Sequence, residues 1–259
     1  MIKGYKKFKF EEIKYLIKVK NLITKKLKVL TNNKKINFSN YHKHVSDKKH
    51  NHIQWELAKY FRKERLHVLA FEGIKNFLFH NLGQDILIQK KPFLRIARPF
   101  KPEDNIGLHK DTIYGQNPYE MSIHVPLMKL GKKSCLKFAP NSYLINEKKI
   151  KFLKSKNIVE KGSKEHKLGK PYQPKKIKSK KYKEKPIPLK FGEFIFFTPA
   201  TIHGQEVNED SKVSRFSFDV RISSRFFPVE FSTKGHNGSY IEFSKSSTVI
   251  LAKKYLSRQ

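Results

Sequence analysis

The sequence predicts a mainly β fold with flanking helices. From Asp85 onward, short runs rich in β-branched and aromatic residues alternate with turn-forming residues, a pattern typical of a sandwich or barrel. Before Asp85, two long stretches instead place apolar residues at helical spacing. With 259 residues, 38% of them hydrophobic, the chain is long enough to bury a sizeable core as one decorated domain.

The first helical stretch covers residues 8–31 and carries a lysine-rich face opposite its apolar positions. Thr31, Asn32 and Asn33 are predicted to end it, because their side chains offer the backbone alternative hydrogen bonds. Residues 33–50 are polar and predict a loop, whose crowded histidines lack the spacing of a metal cluster and are expected to be solvated. The predicted buried positions are Phe10, Ile13, Leu16, Ile17, Leu22 and Leu27, and the crowded histidines are His42, His44, His50 and His52.

The second helical stretch covers residues 52–82, with Gly73 as a possible interruption and Gly83 as a possible C-cap. We predict that residues 1–84 form a helical region packed outside a core made by residues 85–259. The buried candidates of this second stretch are Trp55, Leu57, Ala58, Phe61, Leu66, Leu69, Ile74, Phe77 and Leu78.

The core is predicted to contain nine strands and one insertion. The insertion, at about residues 146–190, is rich in lysine and has little apolar periodicity after Val159. Its first part, residues 146–158, is a candidate short helix, and the rest is typical of a mobile loop or lid. The candidate strands are residues 86–90, 93–98, 108–113, 121–127, 134–139, 186–190, 193–198, 203–208 and 213–223.

The formal net charge of +34 has two interpretations. Residues 1–50 contain 15 lysines and three acidic residues, and residues 146–190 contain 17 lysines and four acidic residues, so these two segments hold most of the excess. Such charge is typical of binding to nucleic acid, anionic membranes or polysaccharide. Arginine, which binds phosphate better, is scarce in both segments. The abundance of Lys, Ile, Asn and Phe therefore favours compositional drift, although the charge does not exclude nucleic acid.

The sequence predicts a cytoplasmic protein. The single cysteine, Cys135, excludes a disulfide framework and suits a reducing compartment. The first residues lack the apolar segment and cleavage site of a secretory signal. No apolar run approaches the roughly 20 residues that span a bilayer, so no transmembrane segment is expected.

His109 and Asp111 lie two residues apart on a predicted strand, so their side chains are expected to point the same way. An isolated pair of this kind is more often an exposed loop pair, and two ligands hold a metal poorly. His203, which follows the apolar strand 194–197, is the best third ligand. Two imidazoles and one carboxylate leave coordination positions open, as in non-haem Fe(II) sites.

Arg215 and Ser217 follow His203 by 12 and 14 residues and share one strand face with Asp219 and Arg221. A buried arginine needs a partner, because an unpaired charge is costly in a low dielectric. The distal carboxylate of a bound keto acid would satisfy its guanidinium through a bidentate pair. Either arginine fits this role, and Asp219 could pair with Arg221.

These residues carry a resemblance to a known family. The pattern His109-x-Asp111, then His203, then Arg215-x-Ser217 resembles the Fe(II)/2-oxoglutarate-dependent oxygenases, nearest to the phytanoyl-CoA-dioxygenase-like branch. Residues 85–96 and the run Val125-Pro126-Leu127 look more particularly like oxygenases of bacterial carbohydrate (polysaccharide and aminoglycoside) gene clusters. The resemblance covers roughly residues 85–222.

The resemblance implies a double-stranded β-helix, or cupin-like jelly roll. It implies that Fe(II) is held by His109, Asp111 and His203, and that 2-oxoglutarate and dioxygen are the co-substrates. Arg215 stands at the family's 2-oxoglutarate anchor and is therefore preferred to Arg221, with Ser217 beside it. An aspartate at position 111, where Ala or Gly would admit chloride, implies hydroxylation-type chemistry in place of halogenation.

Several other residues have both a functional and a structural interpretation. Arg95 and Arg98 lie on a strand that leads towards the site; Arg95 could contact the keto acid or substrate, or form a salt bridge. His124 could face the cavity, although a satisfied core histidine is the commoner case. Ser142 belongs to a Pro-Asn-Ser turn that has no assigned role. Three residues could line a substrate cleft or simply pack: Tyr114, Asn117 and Tyr119.

The resemblance thus implies a dioxygenase that oxidises a C–H bond of a small molecule, with a sugar or carbohydrate-linked metabolite as the expected class, and releases succinate and CO2. Hydroxylation, desaturation and epimerisation would use the same ligands. The alternatives are a nucleic-acid or lipid oxygenase of the same superfamily and a non-enzymatic, basic, cupin-like binding module.

Overall fold

A computed structural model of the chain describes residues 3–152, 177–178, 182–228 and 239–258. The helices of this part of the chain are α1 (Ile13–Thr31), α2 (Tyr41–His44), α3 (Asp47–Lys63), α4 (Leu66–Glu72), α5 (Lys75–Leu82) and α6 (Ser247–Leu256). The strands are β1 (Tyr5–Lys9), β2 (Ile86–Gln89), β3 (Phe93–Ala97), β4 (Met121–Pro126), β5 (Lys137–Phe138), β6 (Lys185–Pro186), β7 (Glu193–Phe197), β8 (His203–Gly204), β9 (Arg215–Ser224) and β10 (Tyr240–Ser244).

The strands form two antiparallel sheets. The larger has the order β1-β7-β4-β9-β2-β10, and β3 also pairs with β9. The smaller has the order β6-β5-β8. β9 lies between β4 on one side and the successive strands β2 and β3 on the other, because its ten residues are long enough to pair with both. β9 therefore organises the larger sheet.

The larger sheet has two different faces, because side chains alternate along each strand. On β9, Phe216 and Phe218 pack in the main core with the helices, while Arg215 and Ser217 point to the opposite face. That opposite face meets the smaller sheet, where Phe138 of β5 packs edge-on against a β7 phenylalanine. The helices thus cover the apolar face, and polar side chains collect between the sheets. This architecture confirms the prediction of a β-rich core with flanking helices.

The N-terminal prediction is partly wrong. Residues 5–9 form a strand that pairs with β7, so the first helix begins at Ile13. Ile13 and Ile17 were expected to be buried but are 40% and 42% exposed, since the helix packs through a different stripe. Its predicted end is confirmed by Asn32, whose φ of 46° is left-handed. The stripe that packs is Leu16, Val19, Ile23 and Leu27.

The second predicted helix is three helices. The first break comes at Arg65, whose φ is 48°, and the second comes at the predicted Gly73. The last of the three helices ends at the predicted C-cap, Gly83. The loop predicted over residues 33–50 contains α2 and the start of α3. His50 was expected to be solvated but is 2% exposed, because it contacts Tyr41 and Asp104.

Several strands are shorter than predicted, and two C-terminal elements, β10 and α6, were not predicted. Residues 108–113 form no strand: an isolated bridge at His109 is followed by a 3-10 helix from Thr112 to Tyr114. Within the described residues 146–152, the front of the lysine-rich insertion contains one 3-10 turn, Glu147–Lys149. The rest of the candidate short helix over 146–158 and most of the predicted lid fall outside the described residues. In the described part of the chain, no helix combines the length and apolar character that crossing a membrane requires.

Candidate metal centre

Two distant chain segments meet side by side at the candidate metal centre. The backbone N–H groups of His109 and His203 each donate to the carbonyl of the other residue, at 2.9 Å in both directions. The N–H of Asp111 donates to Pro199 O at 2.9 Å, which turns the chain inward after His109. As a result, ligand atoms of His109, Asp111 and His203 all lie within 4.8 Å of one another. These side chains belong to residues that are at most 9% exposed.

The backbone that achieves this differs from the prediction. Asp111 has helical dihedral angles, φ −67° and ψ −31°, so His109 and Asp111 do not share the face of an extended strand. They converge because the chain bends between them. The residues chosen for the site are brought together, and the extended geometry predicted for them is wrong.

The hydrogen bonds of both histidines define which ring nitrogen can bind a metal. His109 Nδ1 lies 2.9 Å from Gly107 O, and His203 Nδ1 lies 2.9 Å from Thr201 O. A carbonyl oxygen can only accept, so Nδ1 carries the proton in each ring and Nε2 keeps its lone pair. Backbone carbonyls are common partners of metal-binding histidines, because they fix the tautomer and the ring orientation. The ring centroids are 4.4 Å apart.

The charges of the cluster suit a divalent cation. Burial alone would raise the pKa of the Asp111 carboxyl, but the positive charge of Arg221 outweighs it and holds that pKa well below its usual range. Burial, reinforced by His109, lowers the pKa of His203 to about 4. At neutral pH the cluster therefore offers neutral His203 and an ionised carboxylate, which metal binding requires. Two nitrogens and one oxygen match a non-haem Fe(II) site.

A pocket extends from these three residues across the polar face of the larger sheet. Arg215 lines it and is 2% exposed. Its Nη2 donates to Asn105 Oδ1 at 3.0 Å and its Nη1 donates to Gln205 Oε1, so both partners are neutral amides. Burial lowers the pKa of Arg215 to about 10. Its Nε and the Oγ of fully buried Ser217 find no hydrogen-bond partner among the residues that the structure describes. This buried cation and hydroxyl are suited to a carboxylate.

The remaining charged residues of the pocket are paired. Asp219 Oδ2 accepts from Arg95 Nε at 2.7 Å, and its Oδ1 lies 2.7 Å from His124 Nδ1. The expectation that Asp219 pairs with Arg221 is therefore wrong. Arg221 instead lies beside Asp111, with Nη2 to Oδ1 at 3.4 Å. Arg95 lines the pocket, and it also forms the structural salt bridge that was one of its two interpretations.

His124 was expected to be a satisfied core histidine, but only one of its two ring nitrogens, Nδ1, is hydrogen-bonded among the described residues. It is 1% exposed and lines the pocket, and its Nε2 has no hydrogen-bond partner. On the same strand, Ser122 donates to Asp111 Oδ2 at 3.3 Å. The alternation of polar and apolar residues along β4 was the signal that could have placed both side chains on the pocket face.

Some other candidates lie outside the pocket. Arg98 forms a buried pair with Asp104, with Nε to Oδ2 at 2.7 Å. Asn117 is fully buried and donates to Pro228 O, while Tyr119 is 45% exposed. Tyr114 reaches the site's edge, with its ring centroid 6.2 Å from that of His109.

Two residues with no predicted role support the site. Ser142 accepts from the N–H of Ile202 at 2.8 Å and so holds the backbone before His203. Gln205 contacts Arg215 and comes two residues after His203. The Pro-Asn-Ser turn of Ser142 stood out in the sequence without an assigned role, whereas two-residue spacing from His203 could have marked Gln205.

Gly204→Ala is expected to weaken metal binding by about 10- to 100-fold, the range found when the partners of metal ligands are lost. Gly204 has a φ of +141°, and an added Cβ would lie 2.5 Å from Gly107 O, the carbonyl that orients His109. Calorimetric titration with Co(II) would measure the affinity. Gly131→Ala is the matched control, because that Cβ would meet nothing within 4 Å. Equal affinity in both variants would contradict this role for Gly204.

The fold was compared with known proteins. No model of a known protein family matches the sequence, and no curated protein matches it. Among solved structures, the chain is similar to "Non-heme monooxygenase, ThoJ-Ni complex", with 13% identity over 95% of this chain and 82% of that one and a TM-score of 0.55. The chain shares its fold with a non-heme monooxygenase. The apo form of ThoJ gives 14% identity, the same coverage and a TM-score of 0.56. EvdO2 from Micromonospora carbonacea var. aurantiaca gives 12% identity, 86% and 87% coverage and a TM-score of 0.52.

Proposed function

We propose that this chain is an Fe(II)- and 2-oxoglutarate-dependent oxygenase with a double-stranded β-helix core. The observation that carries the proposal is one pocket that holds a buried cluster of two histidines and an aspartate together with a buried arginine. Among the described residues, the side-chain partners of that arginine are two neutral amides. The cluster suits a metal, and the arginine suits the distal carboxylate of a keto acid. Sharing a fold with a non-heme monooxygenase supports the same conclusion.

His109, Asp111 and His203 would each supply one ligand atom to iron. His109 and His203 present Nε2, because their Nδ1 atoms are bonded to backbone carbonyls. Asp111 supplies the negative charge, and the hydroxyl of Ser122 donates a hydrogen bond to its carboxylate. With three protein ligands, the remaining positions are open to a bidentate keto acid and dioxygen. When bound, iron and 2-oxoglutarate supply oxidation of a C–H bond by dioxygen, with release of succinate and CO2.

Arg215 and Ser217 are proposed to bind the distal carboxylate of 2-oxoglutarate. The free N–H of Arg215 and the free hydroxyl of Ser217 are donors that a carboxylate would satisfy. Asn105 and Gln205 hold the guanidinium in place without neutralising it. Arg221 is less suited, because its guanidinium lies beside Asp111.

The substrate is proposed to be a small molecule, with a sugar or carbohydrate-linked metabolite suggested by the resemblance of the sequence motifs. Hydroxylation is the outcome favoured by an aspartate at position 111. Desaturation and epimerisation would use the same three ligands, so the product of turnover must be identified directly.

An anaerobic titration tests the proposal. Adding Fe(II) to the protein with 2-oxoglutarate is expected to produce a weak visible charge-transfer band, which Fe(II) or 2-oxoglutarate alone does not produce. A screen of sugars and sugar phosphates, scored by succinate release, would then find the substrate class. A protein that binds Fe(II) but shows no band with 2-oxoglutarate would be a binding module, and the proposed function would be wrong.

A further inference from the structure

The pocket has a closed end and an open end. Arg215 and Ser217, at the start of β9, are 2% and 0% exposed. Six residues further along the same strand face, the Arg221 side chain is 20% exposed, and Phe93 beside it is 42% exposed. Both Arg221 and Phe93 line the pocket. A substrate that enters after the co-substrate therefore meets Arg221 and Phe93 first.

The guanidinium of Arg221 has more N–H donors than its described hydrogen bonds use. Among the described residues, its guanidinium makes one side-chain hydrogen bond, to Asp111 at 3.4 Å, which is long for a charged pair. Its Cζ lies 5.9 Å from the centre of the Phe93 ring, and Arg95 Cζ lies 5.2 Å from the same ring. Stacking on an aromatic ring holds the guanidinium in place while its N–H groups stay available. Arg95 differs, because Asp219 already engages it.

The charges of the pocket lining favour an anion. The described lining contains three arginines, at positions 95, 215 and 221, and two aspartates, at positions 111 and 219. These arginines and aspartates together leave one positive charge over. A divalent cation and the dianion 2-oxoglutarate cancel each other, so the loaded pocket keeps that charge. At the closed end, Arg215 is neutralised by the distal carboxylate of 2-oxoglutarate, and Arg95 is paired with Asp219. The remaining positive charge is therefore that of Arg221, at the open end.

We propose that Arg221 and Phe93 form a substrate subsite that binds a carboxylate or phosphate group carried next to a ring. This inference rests on the proposed function and narrows it to anionic substrates. The guanidinium binds the oxyanion through charge-assisted hydrogen bonds, and the exposed Phe93 ring packs against the substrate's ring. A sugar phosphate and a ring-bearing carboxylic acid both have this chemistry.

The binding of small probes tests the subsite without turnover. Phenyl phosphate, benzoate and benzyl alcohol would be titrated by calorimetry into the anaerobic protein loaded with Fe(II) and 2-oxoglutarate. Both anions are expected to bind more tightly than the alcohol, and the tighter anion assigns the group as phosphate or carboxylate. Arg221→Gln is expected to weaken the binding of that anion by about 10- to 100-fold, the effect of losing hydrogen bonds to a charged group. Arg221→Lys should retain part of the affinity, because it keeps the charge but not the fork.

A matched control separates this subsite from general attraction to a protein of net charge +34. Arg62 also stacks on an aromatic ring, with Cζ 5.6 Å from the Trp55 ring, but lies on α3 outside the pocket lining. Arg62→Gln should leave probe binding unchanged. Equal binding of benzyl alcohol and the anions, or equal losses in Arg62→Gln and Arg221→Gln, would overturn the inference.

The affinity for 2-oxoglutarate gives the second readout. Arg221→Gln is expected to keep the charge-transfer band and to change the 2-oxoglutarate dissociation constant by less than about threefold, whereas losing a full charged hydrogen bond would cost more than tenfold. If Arg221→Gln instead loses 2-oxoglutarate as strongly as Arg215→Gln does, Arg221 belongs to the co-substrate site and the inference is wrong. Absence of the band in the unmodified protein would overturn the proposed function itself.

Discussion

Asp111→Ala is expected to lower Fe(II) affinity and succinate release by more than about 100-fold, beyond the 10- to 100-fold loss typical of residues that only support a ligand. Asp111 is the single carboxylate of the three-residue cluster, and its removal leaves two imidazoles without the negative charge that attracts a cation. It also leaves the positive charge of Arg221 without its partner, which further disfavours a cation. Metal affinity would be measured by titration and turnover by succinate release.

Two controls make this result specific. Glu206→Ala removes an exposed carboxylate three residues after His203 and is expected to change neither quantity. Chloride can occupy a metal position when the carboxylate is missing, so both assays would be run in chloride-free buffer and repeated with chloride. Unchanged metal affinity in Asp111→Ala would show that the carboxylate is not a ligand.

Local chemistry explains why the candidate ligands could be chosen from the sequence. His109, Asp111 and His203 have side chains whose metal chemistry does not depend on the backbone, and they do come together. The backbone itself could not be predicted. Residues 108–113 were predicted to form a strand, but the N–H groups of Asp111 and Thr112 both donate to Pro199 O and bend the chain. That carbonyl is 88 residues away, so no local pattern reports it.

The face of β9 was predictable, but the pairing of its side chains was not. Period-two alternation correctly places Arg215, Asp219 and Arg221 on one face of β9. Which partner each finds depends on register. Both Phe93 of β3 and His124 of β4 stand opposite Asp219, so the partners of that carboxylate come from neighbouring strands. Register between distant strands is set by the whole sheet and not by the local sequence.

The N-terminal strand β1 is another element that the local sequence does not predict. Residues 5–9 contain three lysines, and their lysine-rich composition indicates no strand by itself. They form β1 because β7 offers an unpaired edge, and Phe8 packs against Phe194 with ring centroids 5.8 Å apart. Tertiary pairing here overrides local propensity.

Arg215→Met is expected to weaken 2-oxoglutarate binding by about 100-fold, which corresponds to roughly 3 kcal/mol, while Fe(II) still binds. The metal ligands are untouched, so loss of the keto acid alone would be seen as loss of the charge-transfer band at fixed 2-oxoglutarate. Thermal unfolding distinguishes this role from a structural one. Arg215 is a buried cation whose described partners are the amides of Asn105 and Gln205, so removing it also removes the cost of burying a charge.

Arg98→Met is the matched comparison, because Arg98 is also buried, at 4% exposed, but is paired with the buried carboxylate of Asp104. Its removal leaves that buried carboxylate with His50 as its remaining described side-chain partner and should cost about 3–5 kcal/mol of stability. We therefore expect Arg98→Met to lower the melting temperature strongly and Arg215→Met to lower it much less. If Arg215→Met unfolded as readily as Arg98→Met and still bound 2-oxoglutarate normally, Arg215 would be part of the scaffold and the carboxylate would be bound elsewhere. A buried arginine with only amide partners is costly to keep, and an anionic ligand that completes its coordination explains why the pocket contains one.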